Sequence, residues 1–81
     1  MVHHEKHNGI RVYDVEGRKC WTTGGASKAT GYHRNTFVDW SRKTMRHELD
    51  FPMIIRRKRG KLRIFIPIEE YLEWLGYTYQ N

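Results

Sequence analysis

The chain has 81 residues, room for one domain with one modest core, since folded chains this short bury only about 60% of their unfolded surface. Fifteen Lys and Arg face nine Asp and Glu, a formal charge of +6, which is the balance of a domain that meets a polyanion. A single cysteine excludes an internal disulfide framework and points to a reducing, cytoplasmic setting, while no apolar run approaches the ~20 residues of a membrane-spanning helix.

Residues 1–9 are polar and His-rich without periodicity and predict a flexible start, with no apolar core of a signal peptide. In residues 10–21, Ile10, Val12, Tyr13, Val15, Cys20 and Trp21 surround Glu16-Gly17, which predicts a pair of strands. Residues 22–43 predict two helices with a tight turn. Thr22 or Thr23 can cap the first by accepting a backbone N–H, Ala26 and Ala29 share a face, and Gly31 can close it in the left-handed conformation. Gly24 and Gly25 weaken this helix. From His33 to about Lys43, Phe37 and Trp40 form a buried stripe, leaving Arg34, Asn35, Val38, Asp39 and Arg42 for the other faces.

A polar connection, Thr44 to Asp50, leads to Phe51-Pro52, where proline discourages helix in the residue before it. Residues 53–66 predict a hairpin in which Met53-Ile54-Ile55 and Leu62 to Ile66 flank Arg57-Lys58-Arg59-Gly60, with Gly60 able to take positive φ. Residues 67–76 predict a helix on which Ile68, Tyr71, Leu72 and Leu75 recur at helical spacing and Trp74 falls beside the stripe. Glu69 and Glu70 suit its first turn, and Gly76 can end it. Charge is segregated along the chain. Ile54 to Arg63 holds six bases and no acid, whereas Ile64 to Asn81 holds three acids and no Lys or Arg, an arrangement that orients one pole toward phosphate.

The run from Thr23 to Trp40, followed by Arg56 to Gly60 and by Ile66 to Leu75, resembles the excisionase and MerR-like winged-helix families. A small helix, a Gly turn, an x-Thr-x-x-x-Trp helix, a basic hairpin and a closing Ile-Pro…Leu-Glu-Trp-Leu helix stand in the order of those families, over Thr22 to Leu75. The loop from Thr44 to Asp50 is longer than theirs, Asp39 stands where many members have a basic or neutral residue, and the strand pair of 10–21 has no counterpart in the minimal pattern. The resemblance implies an α+β winged helix-turn-helix with an additional N-terminal β-hairpin. It further implies sequence-specific binding of double-stranded DNA as an architectural accessory factor in recombination of a prophage or mobile element. Such a factor works beside a tyrosine integrase and cooperative copies of itself, with no catalytic site, cofactor or small-molecule effector, in the cytoplasm at the nucleoid. A small transcriptional regulator of phage or plasmid genes is the rival. A ligand-sensing MerR regulator is disfavoured, because six residues follow Leu75. From another class, a protein-interaction module would dock the basic hairpin on an acidic partner.

Carried onto this chain, the recognition helix offers His33, Arg34, Asn35, Thr36, Val38, Asp39, Arg42 and Lys43. Asn can pair with adenine and Arg with guanine, an acid can accept from cytosine, and an apolar side chain can touch a thymine methyl. The wing offers Arg56, Arg57, Lys58, Arg59, Lys61 and Arg63 for phosphates or a narrow minor groove. Basic side chains on a sheet edge also block aggregation, but six in ten residues exceed that need. His3, His4, His7, His33, His47 and Cys20 lack a metal-site spacing, His4 to His7 being one residue short of H-E-x-x-H. No orienting group accompanies Cys20, and Gly24-Gly25 lacks the Gly-Lys-Ser/Thr of a phosphate loop.

Overall fold

The computed structural model describes residues 4–7 and 9–79, with side chains over 9–76. In chain order it contains β1 (His4–His7), β2 (Ile10–Val15), β3 (Arg18–Thr22), α1 (Thr23–Thr30), α2 (Arg34–Met45), β4 (Ile54–Lys58), β5 (Lys61–Pro67) and α3 (Ile68–Tyr79). The five strands form one antiparallel sheet in the order β1-β2-β3-β5-β4. This is a small α+β domain, and none of its described helices is long and apolar enough to cross a membrane.

Two hairpins are built alike. Glu16-Gly17 joins β2 to β3 and Arg59-Gly60 joins β4 to β5, each pair with φ of 53° and 77°. Positive φ at both central residues is the type I′ turn, whose twist matches that of the strands it connects. The hairpins then fuse where β3 pairs with β5, Trp21 lying opposite Ile66 and Cys20 opposite Pro67.

Alternation along the strands assigns the two faces. Trp21, Ile64 and Ile66 point to one side, where they meet Ala26 of α1, Phe37 and Trp40 of α2, and Tyr71, Trp74 and Leu75 of α3. Rings do most of the filling. Phe37 stands edge-on to Trp40 at 5.4 Å, and Phe51 meets Trp40 at 5.4 Å and Trp74 at 5.2 Å. The opposite face carries Tyr13, Val15, Cys20, Ile54 and Phe65, a second and smaller cluster made of strand residues alone. The sheet coils over it, so that Glu16 at the β2–β3 turn lies 3.0 Å from Arg56 on β4.

Several expectations need correction. His4–His7, read as part of a flexible start, is an edge strand paired with β2, while residues 1–3 and 8 lie outside the described residues. The strand pair of 10–21 forms as expected, and it is joined to the hairpin of 53–66 in one sheet. Gly76 does not end α3, which runs on to Tyr79. Leu72, placed on the apolar stripe, is 55% exposed, and Trp74 takes its place against Trp40 at 5.1 Å. The buried face of α3 is therefore rotated by one position, toward the indole of Trp40.

Candidate nucleic-acid interface

The corner between α1 and α2 is fixed by local hydrogen bonds. Thr22 Oγ1 accepts from the Gly25 N–H at 3.2 Å and so caps α1. Gly31, at φ 84°, returns its N–H to the Ser27 carbonyl at 2.9 Å, and the Ser27 hydroxyl donates to the Tyr32 carbonyl at 2.7 Å. The Tyr32 ring then stands edge-on to Phe37 and Trp40. His33 caps α2, its Nδ1 accepting from the Asn35 N–H at 3.1 Å. That bond needs the Nδ1 lone pair, so the ring proton sits on Nε2, where His33 keeps a donor.

Phe37 and Ser41 are fully buried and Trp40 half-buried, which sets the inner face of α2. Its outer face presents Arg34, Asn35, Asp39 and Arg42, all exposed, and the described residues of the first twenty do not cover it. Thr36, Val38 and Lys43 are half-buried at the flanks. Asp39 accepts from Lys43 at 3.2 Å, an acid four residues before its base, the favourable orientation on a helix. Two of the predicted contact residues are thus engaged with each other.

Arg46 extends the exposed row beyond the range read from the sequence. It caps α2, and its Nε lies 2.6 Å from Glu48, whose carboxyl is held below the usual carboxylate range by that bond. The helix ends in a paired capping motif: the His47 N–H reaches Thr44 O at 3.0 Å and the Glu48 N–H reaches Lys43 O at 2.8 Å. His47 occupies the left-handed position at φ 62°, where glycine is usual. The Phe51 N–H donates to Thr44 Oγ1 at 3.0 Å, tying the long connection back to the helix.

The six hairpin cations do not form one patch. Register pairs Arg56 with Arg63 and Lys58 with Lys61, four cations on the face away from the helices. Arg57 lies opposite Leu62 on the helix side, next to Ile55, which pairs with Ile64. Leu62 is 50% exposed and Ile55 38%. Arg59 sits in the turn itself. The helix side, shared with α2 through the Phe37, Ile64 and Ile66 core, therefore receives Arg57 of these cations, with Arg59 at the tip.

No family model, curated protein or solved structure matches the chain.

Charge is segregated in space as it is in sequence. Asp50, Glu70 and Glu73 line an open groove beside Trp74, away from the hairpin tip. Glu70 also holds Arg18 at 2.7 Å, and Arg18 lies 3.7 Å from Glu16. The chain Arg56–Glu16–Arg18–Glu70 thus links the base of the hairpin to the first turn of α3. Cys20 is fully buried, and burial pushes its thiol up to about 11. A thiol protonated at neutral pH and shut from solvent is a poor nucleophile.

Proposed function

We propose that this chain binds double-stranded DNA as a winged helix-turn-helix, with α2 as recognition helix and the β4–β5 hairpin as wing. The observation that carries this reading is the outer face of α2: Arg34, Asn35, Asp39, Arg42 and Arg46 lie exposed on a helix whose start is fixed by the capped α1–α2 corner and whose inner face is locked by aromatic packing. Base readout needs such a rigid support, because bidentate pairs to base edges tolerate little misplacement. Arg57 and Arg59 extend the interface to the neighbouring backbone. In this reading Asp39 is a balance element, releasing Lys43 to phosphate if it turns to a cytosine amino group.

Within DNA binding, the resemblance favours an excisionase-type accessory factor, partnered by a tyrosine integrase and by further copies on DNA. A small transcriptional regulator would use the same interface. The test is a titration of short duplex at several salt concentrations. Binding should weaken linearly in log salt, and an R34Q/R42Q variant should bind every duplex more weakly, with a slope flatter by about 0.9 for each phosphate it no longer neutralises. Absence of binding at low salt would favour the protein-interaction module instead.

A further inference from the structure

We infer that the face of the sheet turned away from the helices is a second nucleic-acid surface, which takes a duplex phosphate backbone separate from the one α2 meets. Cross-strand neighbours of like charge repel, yet Arg56 stands opposite Arg63 and Lys58 opposite Lys61 on one face. All four are exposed. Glu16 answers Arg56 at 3.0 Å, and Arg63 lies over the Phe65 ring at 5.4 Å, but no carboxylate among the described residues pairs with Lys58, Lys61 or Arg63. The fold holds these cations together at a cost that an external polyanion would offset.

Their arrangement names the ligand class. Successive pairs on a strand face are about 6.7 Å apart, so the hairpin sets two cations on each strand at that one interval, four charges that neighbouring phosphates of a backbone can meet. Arg56, Arg57, Lys58 and Arg63 line one open groove over Val15 and Phe65 together with the acids Asp14 and Glu16, four cations against two carboxylates, which leaves a positive excess for an external anion. Among the described residues, stacking of unpaired bases has no platform on this face. Phe65 is buried, and Tyr13 is taken edge-on against it at 5.6 Å. The surface therefore suits duplex rather than single strand.

The helix-free position of these cations makes them independent of α2. Mixing the protein with a duplex of roughly 10 base pairs, one helical turn, at low salt and measuring stoichiometry by sedimentation tests this. We expect two duplexes per wild-type chain, one in K58Q/K61Q/R63Q and one in R34Q/R42Q, with K58R/K61R restoring two; an unchanged near-ultraviolet circular dichroism spectrum certifies each fold. A sheet-face variant with wild-type stoichiometry and affinity overturns the inference. So does a wild-type chain that takes one duplex which either variant abolishes, since the two faces would then act as one. If the single duplex is lost in K58Q/K61Q/R63Q and kept in R34Q/R42Q, the sheet face stands and α2 leaves the proposed function.

Discussion

Two side chains carry conformations or protonation states whose consequences are measurable. His47 sits at φ 62° at the end of α2, a position that costs a residue with a Cβ and costs glycine nothing. His47→Gly should stabilise the domain by about 0.5–1 kcal/mol, read as a higher urea midpoint at unchanged m; a lower midpoint would show that the imidazole contributes more than the backbone loses. Cys20 is sensitive to pH instead. Its folded pKa is raised from 9.0 to about 11, so the unfolded chain releases the proton first, and stability held below pH 9 declines as pH rises toward 11. Correspondingly, Cys20 should react with a thiol reagent at about pH 8 only after denaturant is added, since the thiolate is the reactive form, and reaction in the native protein would contradict its burial.

At the scale of elements, α1 and α3 carry the sharpest expectations. Gly24 lies in the first turn of α1 with open space where a Cβ would stand. Gly24→Ala should therefore stabilise that helix by about 0.5–1 kcal/mol, read as a rise in the thermal midpoint. On α3, Leu72→Ala should change stability by less than about 0.5 kcal/mol as an exposed substitution. Trp74→Ala should cost about 3–5 kcal/mol, because its indole packs against Trp40 and Phe51. Equal effects at the two positions would contradict the rotated face. Much of this level was legible in the sequence: a cap at Thr22 or Thr23, the Gly31 stop, both hairpins and the Phe37–Trp40 stripe follow from local chemistry, and the structure places the cap at Thr22. The union of the hairpins through Trp21 and Ile66 was not, since it joins residues far apart in the chain. Nor was the rotation of α3, which periodicity alone leaves open by one position and Trp40 decides. Arg46 was missed because the polar run after Lys43 reads as loop, whereas backbone bonds to Lys43 and Thr44 carry the helix through Met45.

For the whole molecule, the sheet sets four of the six hairpin cations on one face and Arg57 on the other, with Arg59 in the turn. Sequence shows their density, but only the pairing of Arg56 with Arg63 and Lys58 with Lys61 shows which side each takes. The acids gathered along α3 and at Asp50 leave the opposite end of the domain positive, an asymmetry that, under the proposed function, would orient the domain toward a duplex. The proposed function stands on the outer face of α2 meeting duplex DNA. Backbone amide chemical shifts of isotope-labelled protein, followed while a duplex is added at low salt, test it most directly. We expect the largest shifts along Arg34 to Arg46 and through the β4–β5 hairpin. Shifts confined to α3 and the groove at Asp50, or none at all, would contradict it.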